Sequence, residues 1–214
     1  MATTTDGLWQ VTHAERASLA RDLATLTPEQ WRSATLCGEW DVEHVTAHLS
    51  AAASVSRWPW IRSMLSAGFR PHVHNRRRLA EHLGASPAGT LDRFRDVVGL
   101  SVAPSSDLPA YLGEVVVHAQ DIRRPLGITT RPGVDALLPV AGFFVARNFT
   151  VPSRRTAAGL RLVATDAAFE AGEGPEVRGP LLALVMCLAG RAAYLEGLDG
   201  PGVPVLAGRI LPGG

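Results

Sequence analysis

Glu114 and His118 stand four residues apart in a stretch whose apolar residues recur at helical intervals, so a carboxylate and an imidazole share one helix face and can reach one ion. Two ligands do not hold a catalytic metal. His48 is the best third donor, because it falls mid-helix in another apolar stretch, where an unpaired imidazole needs explaining. Two imidazoles and one carboxylate with open positions describe a water-accessible site for zinc or another first-row metal. The same spacing also describes a surface ion pair, and spacing alone supports both readings. His44, one turn before His48, is a rival or additional ligand by the same geometry, or a solvated residue near a helix start. His72-x-His74 has a chelating spacing within a proline-bounded polar stretch that also reads as surface, and His13 and His82, among charged neighbours, take no role. Asp121 is placed either to orient His118 from behind or to pair with Arg124 on the helix surface. Cys37 has no basic neighbour in sequence and reads as a free, buried thiol rather than a nucleophile, and Trp40 as a packing anchor.

The elements that must position these residues follow from periodicity and capping. Leu8, Val11, Leu19, Leu23 and Leu26 predict an amphipathic helix. Thr27-Pro28-Glu29-Gln30 restarts the chain with a Thr cap, an early proline and a Gln set for a capping box. Asp41 is a good N-cap, with Glu43 in the first turn, for a helix carrying Val42, Val45, His48 and Leu49 to Ser56 or beyond. Arg57 to Arg78 resists assignment, and its Arg76-Arg77-Arg78 run reads as a solvated face. Ser86-Pro87 opens a short helix through Leu91, Phe94, Val97 and Val98. Asp107 or Pro109 opens the helix of Leu112, Val115, Val116, Ala119 and Ile122, which ends by Gly127, and another helix covers Val134 to Phe149.

Residues 1–152 thus read as an up-and-down helical bundle. Residues 153–214 change character: a strand at Leu160 to Ala164, a turn at Gly172 to Pro175, a second strand at Val177, a helix from Leu181 to Leu195 and a last strand at Val203 to Leu206. These predict a small α+β domain packed on the bundle, in a chain that is mostly α.

Composition removes several chemistries. All 21 basic residues are arginine, which excludes lysine general bases, Schiff-base enzymes and the lysine-dependent phosphate loop. Net charge +1 with 19% charged residues lacks the footprint of a general nucleic-acid binder. Two cysteines build neither a disulfide scaffold nor an all-thiolate zinc site, so a metal must rely on His and carboxylate. Met1 to Gly7 is polar, and no stretch approaches the ~20 apolar residues of a membrane span. The expectation is a soluble cytoplasmic protein without membrane or nucleic-acid partners.

Two segments carry a resemblance to a known family. Thr35-Leu36-Cys37-Gly38-Glu39-Trp40-Asp41-Val42 with Val45-Thr46-Ala47-His48-Leu49, and Gly113 to Arg124 with Glu114 and His118 inside it, resemble the two metal motifs of the mycothiol-dependent maleylpyruvate isomerase family. Gly159 to Asp166, Gly174 to Pro180 and Leu188 to Arg191 are similar to parts of that family's C-terminal domain. Glu39 departs from the glycine often found there, and 57–78 matches nothing specific. The resemblance implies a DinB-like four-helix bundle followed by a small α+β domain, with metal ligands at His48, Glu114 and His118. It implies mycothiol as thiol cosubstrate, whose thiolate adds to a cis double bond before rotation and elimination, and an actinobacterial source. Arg191 matches an arginine implicated in activity, as a clamp for a substrate or cofactor carboxylate; it also reads as the cap of the Leu181 helix. Arg191 and Asp121 are therefore the catalytic candidates.

Two functions follow. One is an enzyme that activates the low-molecular-weight thiol for a small electrophile, by isomerisation or S-transfer. The other is a non-catalytic metal-binding or regulatory module on the same fold.

Overall fold

The computed structural model describes residues 4–38, 40–54, 79–103 and 105–211; Glu39 and the 57–78 stretch with its histidine pair and arginine run lie outside the described residues. Among the described residues of the first unit, 1–131, four helices stand out: α1 (Thr5–Leu23), α2 (Val42–Ala53), α3 (Pro87–Val97) and α4 (Leu108–Arg123). Helix α1 packs on α4 and α3, and α2 on α3 and α4, so the expected four-helix packing is present among the described residues. The core they share is Leu19, Leu23, Trp31, Val45, Leu49, Phe94, Val115 and Ile122, all nearly inaccessible to solvent.

The caps are those the side chains predict. Asp41 accepts the His44 amide at 2.9 Å and so fixes the start of α2. Thr27 and Gln30 exchange reciprocal hydrogen bonds, 2.9 and 3.3 Å, ahead of the single 3₁₀ turn Gln30–Arg32 that seats Trp31. Arg32 reaches the buried Glu43 carboxylate at 2.6 Å, and Thr90 of α3 donates to it at 2.8 Å, so Glu43 joins three elements as well as facing the α2 dipole.

The second unit spans residues 132–214 and holds α5 (Val134–Ala146), α6 (Ser153–Ala157), the strands β1 (Arg161–Ala164), β2 (Glu170–Ala171) and β3 (Glu176–Gly179), α7 (Leu181–Leu188), a 3₁₀ turn Ala192–Gly197 and α8 (Val203–Ile210). The boundary between the units falls at residue 131 rather than 152, because the apolar face of α5, with Leu137, Val140 and Phe144, packs against α7. The sheet order is β2-β1-β3, with β1 antiparallel to β2 and parallel to β3 in the register Leu162 opposite Val177. Arg161 bridges both edges, to Glu170 at 2.8 Å and Glu176 at 3.0 Å.

Two sequence expectations change here. Helix α7 stops at Leu188 and not Leu195, because Gly190 takes φ +84° and its N–H, with that of Arg191, closes onto Cys187 and Met186 carbonyls. Val203 to Leu206 is helical and not a strand. Pro204 has no N–H for a ladder but fits the first turn of a helix, where the Leu206 N–H bonds to Gly202.

Candidate metal centre

Helix α4 brings Glu114, His118 and Asp121 onto neighbouring rows, and α2 faces them with His48. The Glu114 Oε1 accepts from His48 Nε2 at 2.6 Å and lies 3.4 Å from His118 Nε2. One ligand atom from each of His48, Glu114 and His118 lies within 4.8 Å of the other two, a spacing one ion can span. The imidazoles meet edge to face, 5.1 Å between centroids. The His48 and His118 side chains are 10% and 11% exposed and that of Glu114 23%, so the carboxylate is the most accessible of the three.

The remaining nitrogen of His118 faces a different partner. Nδ1 lies 2.9 Å from Oδ2 of Asp121, which is fully buried. A carboxylate there favours a proton on Nδ1, so that the neutral ring keeps its lone pair on Nε2, as in a carboxylate placed behind a metal-binding histidine. Of the two sequence readings of Asp121, the orienting one has this geometry.

Charge follows the hydrogen bonds. Burial pushes the Glu114 carboxyl up, but hydrogen bonds from His118 and His48 and their charge hold it well below its ordinary 4.5. Burial works to lower His118, yet its bonds to Asp121, Cys37 and Glu114 and the Glu114 charge raise it well above 6.5. Both directions favour a proton on His118 between the Glu114 and Asp121 carboxylates.

His44 does not join this group. Its Nδ1 bonds to Asp41 at 2.6 Å and its side chain is 39% exposed at the helix start. His13 stacks on Trp9 and meets Ser101. Trp40 packs 4.9 Å from the His48 ring, so it is a wall of the centre as well as an anchor.

Cys37 is the residue that sequence reading set aside. Its Sγ, a His118 ring nitrogen and an Asp121 oxygen all lie within 4.8 Å of one another. The imidazole it lacks among sequence neighbours lies beside it through space. Tyr111, one turn before Glu114, was also missed: burial, with the nearby Glu114 charge, raises its hydroxyl above 10.0 against the effect of a bond to Ser105. Its one-turn offset from Glu114 was the available signal.

Arg191 sits in the second unit, directly after α7. Its Nη1 donates to Ala189 carbonyl at 2.7 Å, in keeping with the reading that it caps the end of that helix.

Residues 12–96 match the family model of the mycothiol maleylpyruvate isomerase N-terminal domain, a segment that includes Cys37, Trp40 and His48 and stops before Glu114. That segment, about two fifths of the chain, is where its sequence is similar to this family, and it contains the motif around His48. The fold agrees: a crystal structure of the mycothiol-dependent maleylpyruvate isomerase superposes with TM-score 0.64 at 18% identity, covering 94% of this chain and 96% of that one. A second crystal structure, of a histidine-to-alanine mutant of that enzyme, gives TM-score 0.64 at 16% identity with the same coverage. No curated protein matches. Among the described residues no helix is long and apolar enough to cross a membrane.

Proposed function

We propose that the chain is a metal-dependent enzyme that activates a low-molecular-weight thiol, mycothiol, for addition to a small electrophile, either in cis-trans isomerisation or in S-transfer. The observation that carries this is the convergence of His48 Nε2 and His118 Nε2 on Glu114 Oε1. The donor set fits a divalent metal, zinc first: two neutral imidazoles and one carboxylate leave coordination positions open. Such a metal, when bound, supplies a lowered thiol pKa and stabilisation of negative charge developing on the electrophile.

The chain's own groups do the rest. Asp121 keeps the His118 proton on Nδ1 and turns the Nε2 lone pair inward. Trp40 shields one side of His48 from water, while the partly exposed Glu114 marks the approach for small molecules. Arg191 is the proposed carboxylate contact for substrate or thiol, since a guanidinium pairs with a carboxylate through two parallel bonds. This part is read from the family resemblance around residues 188–191.

A second reading has its own support. Hydrogen bonds already satisfy the trio without an ion, as they would in a non-catalytic module using these residues as a polar core.

Titration of the metal-stripped protein with Zn²⁺ or Co²⁺, followed by mycothiol, separates the two. One equivalent of tightly held metal, a cobalt spectrum that changes on adding mycothiol, and thiol-dependent turnover of maleylpyruvate are expected. His48→Ala with full metal affinity overturns the site. Metal binding with no response to the thiol, together with an Arg191→Ala variant indistinguishable from the parent, favours the module.

A further inference from the structure

Both imidazoles of the trio are touched by one short piece of chain that belongs to neither α2 nor α4. Trp40 lies against His48, and Cys37 lies beside His118 and Asp121. The piece is tied down at several points. Thr35 Oγ1 donates to the Trp40 carbonyl at 2.7 Å and accepts the Cys37 N–H at 3.1 Å. The Trp40 N–H reaches back to the Cys37 carbonyl, and Ala34 bridges to Asp41 at the head of α2. Finally, the Leu36 N–H donates to the backbone carbonyl of Asp121 at 3.1 Å, so the residue that holds His118 through its side chain is itself held through its main chain.

We propose that Cys37 is a positioning residue of the metal centre, fixing the His118 ring jointly with Asp121, while Trp40 fixes His48 from the same clamp. This rests on reading His48, Glu114 and His118 as metal ligands. A thiol is a weak hydrogen-bonding partner, so Cys37 acts mainly by filling the space beside the ring and limiting its rotation. Preorganised ligands hold a metal more tightly because less freedom is lost on binding. Gly38 sets the turn that delivers the thiol: its φ of +63° is left-handed, and no atom lies within 4 Å of the place a Cβ would occupy. A side chain there therefore disturbs backbone conformation alone.

The test uses Co²⁺ titrations of the full chain with Cys37 intact, Cys37→Ser and Cys37→Ala, beside long-range ¹H–¹⁵N spectra of the metal-free imidazoles. Cys37→Ala is expected to lower cobalt affinity by ~10-fold or more, the size of effect seen for outer partners of metal ligands. It should also change the cobalt spectrum and shift the His118 ring signals, and Cys37→Ser should restore most of each. A Cys37→Ala protein with parental affinity and unmoved His118 signals overturns the proposal. So does a thiolate-to-cobalt charge-transfer band in the parent that Cys37→Ser abolishes, because Cys37 is then a ligand. If the parent takes up no cobalt, the metal reading falls, and the metal-free ring signals still decide the clamp. Should Cys37→Ala not fold, Gly38→Ala takes its place with the same expected and overturning results.

Discussion

Two buried polar networks hang from α4, little more than one turn apart, and they are built from opposite materials. Arg123, fully buried, pairs through Nε with Asp22 of α1 at 2.8 Å and through Nη2 with Ser18 at 3.0 Å, while Thr130 donates to the other Asp22 oxygen. A permanent cation there meets one carboxylate and one hydroxyl, and a second hydroxyl serves the carboxylate. Around His118, by contrast, stand two carboxylates, a second imidazole and a thiol, and each can present a lone pair. The Arg123 network carries its own fixed cation, whereas the His118 network does so only by holding a proton. Within one helix, the first composition describes a brace and the second suits the ion site proposed above.

Arg123→Ala gives the largest expected effect. It leaves Asp22 without its cation in a part-buried setting, and a loss of about 3–5 kcal/mol is expected by urea unfolding. The metal affinity of whatever stays folded should change little, and a large change would mean that the networks are coupled. His118→Ala should do the reverse, abolishing stoichiometric zinc binding in a calorimetric titration with a smaller effect on metal-free stability. Loss of both together would collapse the distinction between brace and site.

Acidity sharpens the same contrast. Because His118 is raised above 6.5, its contribution to metal-free stability is complete below 6.5 and is lost as pH climbs through the raised value. Because Glu114 is depressed below 4.5, its contribution is complete above 4.5 and is lost as pH falls through the lower value. The melting temperature of the metal-free protein should owe most to this pair between 4.5 and 6.5. Zinc affinity should rise with pH above 6.5 as His118 gives up its proton, and an affinity independent of pH there would contradict the assignment. The smallest expected effect is that of Asp121→Asn, ~10- to 100-fold in zinc affinity, measured by chelator competition.

What the chain reveals before folding is what local chemistry encodes. The Asp41 cap, the Thr27–Gln30 box and the four-residue step from Glu114 to His118 are all short-range, and each appears where the residues put it. His48 was legible for another reason: an imidazole on an apolar helix face has to meet something. Cys37 was not legible, because its environment is made by α4, far along the chain, and neighbours in sequence carry no trace of it. Periodicity also misjudged Val203 to Leu206, where a short apolar run serves strand and helix alike and proline with the preceding glycine decides. It placed α5 with the bundle because an apolar helix face does not name the partner it packs against.

The amide of Leu36 lies outside every helix and strand, yet it is hydrogen-bonded to the main chain of α4 at Asp121. Its one proton can exchange with solvent when that loop and helix part, without any unwinding of α4 itself. Deuterium uptake at this single position therefore clocks how often the wall of the centre opens, separately from the melting of the bundle. Slow uptake there would describe a pocket built before its ligand arrives, and rapid uptake one that the ligand completes.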